Sequence, residues 1–252
     1  MNGQLEGRVI AVTGAATGAG AAAVAALADE GARVFAFQRS SAPGADLLGR
    51  ATWLRCDLTD QAATTAAFEE IRRSAGRLDV LVHAAGLWAP GAPGQLTGDD
   101  LDHMLAVNLK STVFANQAAF ELMRDRGGRI VNFGSVEGIA GNPRSAAYAA
   151  AKAGVHAWTR SAALAWAAYG VTVNAVNPVV DTTNAQRLRE HFGPDGGALL
   201  EQRMKALIPL GGAMGDPLRD LAPVLVFLSG DGARFITGQV IGVDGGMRML
   251  GA

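Results

Sequence analysis

Three side chains that could carry out acid–base chemistry lie near one another in the sequence: Ser135, Tyr148 and Lys152. Tyr148 and Lys152 are four residues apart within the stretch YAAAK, and residues at i and i+4 share one face of a helix. Ser135 follows the apolar run GRIVNFG and precedes Tyr148 by 13 residues, enough chain for a loop from a strand end to a helix start. The spacing predicts that a hydroxyl, a phenol and an ammonium group converge at one site.

The pairing of Tyr148 with Lys152 is suited to proton transfer. General acid–base catalysis at neutral pH is served best by a group whose pKa is near 7, whereas the reference pKa of tyrosine is about 10. A shift of about 3 units corresponds to roughly 4 kcal/mol. A unit charge about 4 Å away contributes about 4 kcal/mol at an effective dielectric constant of 20. We therefore expect Lys152 to lower the pKa of Tyr148.

The elements that must position these groups follow an alternating pattern. Short β-branched or apolar runs have the character of strands buried on both faces, at residues 8–13, 33–37, 79–83, 128–133, 171–176 and 238–243. Alanine-rich stretches with helical character lie between most of them, at residues 19–30, 60–75, 99–124, 145–169 and 217–229. This alternation predicts an α/β protein with a parallel sheet, helices on both faces and right-handed crossovers. We expect a single doubly wound, Rossmann-like domain over residues 1–252.

Residues 179–215 have no clear strand or helix pattern and are rich in Gly and Pro. A stretch of this length in a compact domain is more often a lid or a binding loop than an accident. Parallel sheets bind ligands beyond the carboxyl ends of their strands. We therefore expect a substrate lid at about 179–215.

The composition argues against several classes of function. Net charge is −1 and Lys and Arg are scattered, so the sequence lacks the basic stripe that a nucleic acid or an anionic membrane would need. The single cysteine, Cys56, excludes an internal disulfide and a CxxC metal site, and His103, His156 and His191 show no ligand spacing and suit surface or packing positions. No targeting signal or run of roughly 20 apolar residues is visible. We expect a cytoplasmic protein with a small-molecule partner and no metal.

The stretch TGAATGAG follows the first predicted strand and opens the first predicted helix. Its glycines, Gly14, Gly18 and Gly20, leave backbone N–H groups unhindered at a helix N-terminus, where the helix dipole adds partial positive charge. The spacing GxxxGxG differs from the dinucleotide fingerprint GxGxxG, so the loop alone is also compatible with a tight turn and close helix packing. A diphosphate is the ligand that this arrangement favours.

The end of the second predicted strand normally decides which dinucleotide binds to such a fold. An acid there accepts a hydrogen bond from the ribose 2′-hydroxyl, and a cation accommodates a 2′-phosphate. The sequence reads Gln38, Arg39 and Ser40 and contains no acid at this point. A guanidinium beside a hydroxyl suits a phosphate. We therefore expect NADP rather than NAD, although Arg39 could also be an ordinary exposed loop charge.

Taken together, these motifs resemble those of the short-chain dehydrogenase/reductase family, and in particular its 3-oxoacyl-[acyl-carrier-protein] reductase-like members. The resemblance runs over nearly the whole chain, through TGAATGAG, CDL at 56–58, AAG at 84–86, VNLKS at 107–111, Ser135 with YAAAK, and VDGG at 243–246. It implies an enzyme that moves a hydride between NADP(H) and a carbonyl or secondary alcohol. Tyr148 would be the general acid or base.

The resemblance also implies roles for individual residues. Asn108, Ser135, Tyr148 and Lys152 would form a catalytic tetrad. Ser135 would polarise the substrate oxygen, Lys152 would hold the nicotinamide ribose, and Asn108 would keep a water in a proton relay. The three glycines would hold the diphosphate and Asp57 the adenine amine. The other implied cofactor contacts are Thr17, Leu58, Ala85, Gly86, Pro178 and, at the carboxamide, Thr183.

Two stretches depart from the family pattern. The stretch HAAG has His83 and Ala84 where two asparagines are usual, and we expect His83 to replace an asparagine hydrogen bond in a structural role. Val179 stands where a glycine usually follows Pro178, so freedom at φ is lost near the nicotinamide. The path of this loop and the contact at Thr183 stay open at this point.

Other functions and the assembly are less sharply indicated. A dinucleotide-binding sensor or scaffold without catalysis is one alternative, and a different enzyme on this fold, such as a sugar-nucleotide epimerase or a methyltransferase, is another. Trp88 and Phe192 favour a substrate with some apolar body, and Glu137 and Asn142 are further candidates for the pocket lining.

Small residues on the predicted catalytic helix permit close helix approach; they include Ala149, Ala153, Ala157 and Ala163. Family members commonly form tetramers, so we expect a homo-oligomer, either a tetramer or a dimer.

Overall fold

The computed structural model describes residues 3–182, 185, 190, 193, 197–199 and 202–249. In this part of the chain, seven parallel strands form one sheet in the order β3-β2-β1-β4-β5-β6-β7. The strands are β1 (Val9–Thr13), β2 (Arg33–Gln38), β3 (Ala51–Arg55), β4 (Val80–His83), β5 (Gly128–Phe133), β6 (Val171–Pro178) and β7 (Val240–Val243). The strand order reverses between β1 and β4, which opens a crevice at their carboxyl ends. This is the doubly wound, Rossmann-like α/β fold that the sequence predicts.

Helices cover both faces of the sheet. They are α1 (Gly18–Asp29), α2 (Gln61–Ala75), α3 (Gly98–Leu105), α4 (Ser111–Met123), α5 (Glu137–Ala140), α6 (Ala146–Trp166) and α7 (Ala222–Ser229). Alternate residues of β1 point to opposite faces: Ile10 and Val12 join a core cluster with α1 and α7, whereas Val9 and Ala11 join one with α2, α4 and α6. The central strands β1 and β4 are therefore buried on both sides, which explains their continuous apolar runs.

Two features of the fold were not indicated by the sequence pattern. Strand β3 lies at the edge of the sheet and is only partly buried, so its sequence ATWLR lacks the apolar run of a central strand. The stretch predicted as one helix at 99–124 is interrupted by a wide π-type turn at Ala106–Lys110 between α3 and α4. Such turns frequently mark functional sites, and this one contains Asn108.

The described part of the stretch 179–215 is not irregular throughout, because residues 202–207 are helical. Its two ends lie together: Val180 and Gly215 form an isolated parallel bridge, and the Asp181 N–H donates to the Gly215 carbonyl at 2.9 Å. The stretch therefore leaves the sheet and returns to it at almost the same place.

The described residues contain neither a candidate membrane-spanning helix nor a candidate metal site. None of their helices combines the length and the apolar character that crossing a bilayer would take. Their His, Cys, Asp and Glu side chains form no group of three or more arranged to hold a metal ion.

Candidate active site

A cleft of about 500 Å³ lies at the carboxyl ends of the strands. Apart from Asn108, its lining contains every predicted site residue that the structure describes: Gly14, Thr17, Gly18, Gly20, Arg39, Ser40, Asp57, Leu58, Ala85, Gly86, Ser135, Tyr148, Lys152 and Pro178. Thr183 lies outside the described residues. The parallel sheet thus gathers groups from distant parts of the sequence into one cavity.

The glycine loop between β1 and α1 is shaped by close backbone contacts. Gly14 has φ of +62°, and a Cβ there would lie 2.8 Å from the Cα and N of Ala85. A Cβ on Gly20 would collide with the carbonyl of Gly14. Thr17 is the N-cap of α1, yet in the described structure its side chain makes no hydrogen bond to the first turn. The N–H groups of that turn therefore point into the cleft as donors for an anion.

The far end of the cleft carries the groups predicted to bind the adenosine. Asp57 is held by Thr59, whose main-chain N–H and hydroxyl donate to Oδ1 at 3.0 and 2.7 Å, and these hydrogen bonds hold the pKa of Asp57 below its ordinary value. Arg39 is exposed and its Nη1 lies 3.9 Å from Oδ2 of Asp57. A long, exposed ion pair contributes little, so Arg39 can turn toward another anion at small cost. Oε1 of Gln38 is buried and has no hydrogen-bond partner among the described residues.

The three residues predicted to do chemistry meet beside the end of β5. Tyr148 lies in the first turn of α6 and forms a hydrogen bond with Ser135. Oγ of Ser135 also accepts from the Glu137 N–H at 3.1 Å, which leaves its own proton available for another acceptor. Nζ of Lys152 donates to the Phe133 carbonyl at 2.7 Å and lies 5.8 Å from the centre of the Tyr148 ring.

The charge states at this site differ from the expectation. The pKa of Tyr148 is raised, mainly by burial and further by the charge of Glu137, while the hydrogen bond with Ser135 opposes the shift. Burial lowers the pKa of Lys152 to about 8. The predicted lowering of the Tyr148 pKa is not found, because burial of the phenol is the largest influence on this pKa and raises it. Tyr148 is therefore a neutral phenol at pH 7.

Asn108 is fully buried and lies behind the cleft rather than in its wall. Its Oδ1 accepts from the Leu87 N–H at 3.0 Å, and its Nδ2 donates to the carbonyls of Leu87 and Met104 at 2.9 and 3.1 Å. The side chain thus fastens the loop after β4 to the wide turn between α3 and α4. Both polar atoms of the Asn108 side chain are therefore hydrogen-bonded to main-chain groups.

The two departures from the family pattern have structural explanations. His83 is buried and its Nδ1 lies 2.9 Å from Oγ1 of Thr13, which in turn accepts from the Ala85 N–H at 3.2 Å. Burial, with the charge of Lys152, lowers the pKa of His83 to about 3, so the ring is a neutral support for the turn after β4. Val179 needs no glycine conformation, because its N–H donates to the Val243 carbonyl at 2.9 Å and its carbonyl accepts from the Gly215 N–H at 3.1 Å.

A buried polar network joins β5 and α4 to the middle of α6, at Trp158 and Thr159. Asn132 of β5 donates to Asn116 of α4 at 3.0 Å and to Thr159 of α6 at 3.1 Å. Asn116 donates back to Asn132 at 2.8 Å and accepts from the Trp158 indole at 2.9 Å. A fully satisfied network of this kind specifies one packing arrangement for β5, α4 and α6.

The cleft lining also contains residues that the sequence pattern did not indicate. Met204 and Met214 of the stretch 179–215 and Met247 after β7 line the cavity with Trp88 and Glu137, which were predicted as candidates. Asn142 does not line the cavity, and Phe192 lies outside the described residues. Methionines have no characteristic spacing when they converge from separate segments, so the sequence offered no signal for them.

Comparisons with known proteins agree with this geometry. A family model described as enoyl-(acyl carrier protein) reductase matches residues 14–248. The 2-(S)-hydroxypropyl-CoM dehydrogenase 3 of Xanthobacter autotrophicus is 37% identical, over 99% of this chain and 100% of the relative. The 3-oxoacyl-[acyl-carrier-protein] reductase FabG of Thermotoga maritima is 36% identical, over 97% of this chain and 99% of the relative.

A solved structure from Burkholderia xenovorans, described as a short-chain dehydrogenase/reductase, superposes with a TM-score of 0.90. It is 36% identical to this chain, and the match covers 97% of this chain and 98% of the other. The chain belongs to the short-chain dehydrogenase/reductase family of oxidoreductases, whose members use nicotinamide dinucleotide cofactors.

Proposed function

We propose that the protein is an NADP(H)-dependent carbonyl reductase or secondary-alcohol dehydrogenase in which Tyr148 is the general acid or base. The observation that carries this proposal is the meeting of Tyr148, Ser135 and Lys152 in one cleft with an open helix N-terminus. The three side chains can transfer a proton at a carbonyl oxygen, and the helix N-terminus can hold the diphosphate of a dinucleotide.

The described residues fit a dinucleotide. The loop from Gly14 to Gly20 is a cradle that side chains would fill, and it would hold the diphosphate together with Thr17. Arg39 and Ser40 would bind a 2′-phosphate, with Asp57 and Leu58 at the adenine and Ala85, Gly86, Lys152 and Pro178 along the nicotinamide half. Thr183 stays a proposed contact for the carboxamide. When bound, the nicotinamide supplies or accepts the hydride.

The proton chemistry follows from the charge states of the chain. In carbonyl reduction, neutral Tyr148 donates its proton to the substrate oxygen, and the O–H of Ser135 donates a hydrogen bond to the same oxygen. The Lys152 ammonium then stabilises the phenolate that remains. Asn108 acts by holding the turn behind the site, and we retain the proposal that it keeps a water in the proton relay. Alcohol oxidation requires Tyr148 to lose its proton first, which its raised pKa opposes.

The substrate we propose is a small carbonyl or alcohol compound with an apolar body. Trp88 and three methionines form the wall beyond Tyr148, and methionine adapts to apolar ligands of varied shape. Residues 179–215 would act as a lid, because Val180, Ala185, Met204 and Met214 of that stretch line the cleft. A homo-oligomer, a tetramer or a dimer, and a cytoplasmic location complete the proposal.

The experiment that tests the function starts with cofactor binding. Titration with NADPH and NADH, followed by nicotinamide fluorescence, should show tighter binding of NADPH. Reduction of cyclohexanone, acetophenone and ethyl acetoacetate, followed at 340 nm, should then show turnover of at least one ketone. Tyr148→Phe should lose about 100-fold or more of kcat and retain NADPH binding, because only the transferable proton is removed.

Three results would contradict the proposal. Turnover that persists in Tyr148→Phe would remove the assigned acid. NADPH binding without turnover on a wide panel of ketones and aldehydes would favour a sensor or scaffold. Failure to bind either dinucleotide would remove the cofactor.

A further inference from the structure

One buried imidazole beside the active site has no part in the chemistry above. His156 lies one turn after Lys152 on α6 and is only 4% exposed, so of the two positions that the sequence suggested, surface or packing, it occupies a packing position. Its Nε2 lies 3.4 Å from the main-chain N of Ser135 and 2.9 Å from Oδ1 of Asn177 on β6. The ring also forms a hydrogen bond with the Gly138 carbonyl. It therefore contacts both sides of the segment that carries Ser135.

Glycines on either side of Ser135 make room for this ring. A Cβ on Gly134 would collide with both Oδ1 of Asn177 and Nε2 of His156. A Cβ on Gly138 would lie 2.7 Å from the Lys152 carbonyl carbon and 3.0 Å from Cε1 of His156. The segment can approach α6 this closely only without side chains at these two positions, and the ring then lies directly beneath Ser135.

The hydrogen-bond chemistry indicates which role the ring nitrogen plays. The Ser135 N–H can only donate, so a favourable contact with Nε2 requires a lone pair on that nitrogen. Burial lowers the pKa of His156, and the charges of Lys152 and Arg160 act in the same direction, so the ring is neutral and can offer one lone pair. Asn177 must then turn its NH₂ group toward Nε2. Half a turn of the amide does so: Nδ2 then faces Nε2, and Oδ1 takes the buried position in which Nδ2 has no partner among the described residues.

We propose that His156, together with Asn177, is a positioning residue for Ser135: Nε2 accepts from the Ser135 N–H and holds the main chain so that the hydroxyl faces Tyr148. The inference rests on the proposed function, since Ser135 matters only if it polarises a substrate oxygen. His156 touches neither substrate nor cofactor. Its effect is exerted entirely through the placement of Ser135.

The test compares two substitutions of His156 that differ in hydrogen bonding. His156→Leu keeps much of the buried volume but removes the acceptor, and a misplaced catalytic group of this kind costs about 10- to 100-fold in rate. We expect that loss in kcat for the fastest ketone of the panel, with KM and NADPH affinity within about threefold of wild type. His156→Gln has a carbonyl for the Ser135 N–H and an NH₂ for Asn177, and should restore kcat to within about threefold.

A matched control separates positioning from a general loss of stability. Thr159→Val removes a buried hydrogen bond from the same helix, one that serves Asn132 and not Ser135. It should lower the melting temperature about as much as His156→Leu does but leave kcat within about twofold of wild type. An equal loss of kcat in Thr159→Val and His156→Leu would overturn the proposal, as would a wild-type kcat in His156→Leu or no recovery in His156→Gln.

Asn177→Asp tests the direction of the hydrogen bonds. A buried carboxylate only accepts, so it would draw a proton onto Nε2 and turn the ring nitrogen into a donor that faces the Ser135 N–H. We expect this variant to reproduce the kcat loss of His156→Leu. Full activity in Asn177→Asp would show that Nε2 already donates to Asn177, and the proposal would be wrong.

A readout that needs no substrate keeps this proposal separate from the proposed function. Hydrogen exchange at the main chain of residues 134–138 should be faster in His156→Leu than in wild type, and unchanged in His156→Gln and Thr159→Val. Unchanged exchange in His156→Leu would overturn the positioning role even if no ketone is reduced. Absence of turnover in wild type, with the expected exchange pattern, would contradict only the proposed function.

Discussion

At the scale of single residues, burial is the main influence on the charge states of Tyr148 and Lys152. The separation of Tyr148 from Lys152 places both in the cleft, as one helix face requires. The shift of the Tyr148 pKa could not be deduced from that spacing, because it depends on burial and on Glu137 across the site. The Phe133 carbonyl that holds Lys152 is equally invisible in the sequence, since any residue type offers a carbonyl.

Lys152 should make the stability of the cofactor-free protein depend on alkaline pH. Its folded-state pKa of about 8 lies below the ordinary value of 10.5, so the unfolded chain binds more protons between these two values. Stability should therefore rise with pH across that window, by about 2 to 3 kcal/mol between pH 8 and pH 10. Urea denaturation of wild type and Lys152→Met measures the difference, because Cys56 and other alkaline groups are present in both proteins. A parallel pH response in the two proteins would contradict the prediction.

Arg39 should determine the preference for NADPH. Arg39→Ala removes the guanidinium proposed to meet the 2′-phosphate, and loss of a charge-assisted contact of about 1.5 to 3 kcal/mol corresponds to roughly 10- to 100-fold weaker NADPH binding. Binding of NADH should stay within about threefold. Arg73→Ala is the control, because Arg73 is an exposed arginine on α2 outside the cleft lining. Equal weakening of both cofactors would assign Arg39 a structural role.

At the scale of elements, the sequence predicted most helices and strands but not the irregularities that serve the site. The central strands follow from apolar runs that are buried on both faces of a parallel sheet. The five helical stretches follow from the alanine-rich sequences between them. The wide turn at Ala106–Lys110 does not follow from them, because it lies inside an unbroken helical pattern and depends on tertiary contacts of Asn108 with Leu87. Edge strand β3 also lacks the apolar pattern, because its side chains are only partly buried.

Asn108→Ala should loosen the loop after β4. The substitution leaves the part-buried Leu87 N–H and carbonyl without their partner, which costs about 1 kcal/mol or more. We expect that loss in the free energy of unfolding, together with weaker NADPH binding, because Gly86 and Leu87 line the cleft. Asn142→Ala, on an exposed loop outside the cleft lining, should change both quantities by much less. Unchanged stability in Asn108→Ala would show that the turn does not depend on this side chain.

At the scale of the whole molecule, the order of the parallel strands explains why motifs far apart in the sequence line one cleft. TGAATGAG, CDL and AAG each lie at the end of a strand, and all the strands end at one edge of the sheet, so these three motifs meet there. The cleft lining also includes Met204, Met214 and Met247, which lie outside these motifs. Their convergence is decided by the path of the stretch 179–215.

The outer surface bears on the proposed assembly. Leu164 on α6 is 83% exposed, and Phe235, before β7, is 99% exposed. Of the four alanines predicted to permit close helix approach, Ala153 and Ala157 are exposed, whereas Ala149 and Ala163 are buried within the chain. Leu164→Glu should lower the molar mass measured by light scattering after size exclusion, because it places a charge on this apolar face. Arg160→Glu, on the same helix, tests the effect of charge alone and should change the mass less. Identical masses for wild type and Leu164→Glu would exclude this face as the interface.

The bridge between Val180 and Gly215 has an evolutionary consequence. Main-chain hydrogen bonds at Val179, Asp181 and Gly215 fasten both ends of the intervening stretch to each other and to β7. Such an anchored excursion can be lengthened, shortened or exchanged with little strain on the sheet, since the entropy of loop closure grows slowly with length. Natural variation between these two anchor points can therefore diversify the compounds accepted while the scaffold that conducts the reaction is inherited unchanged.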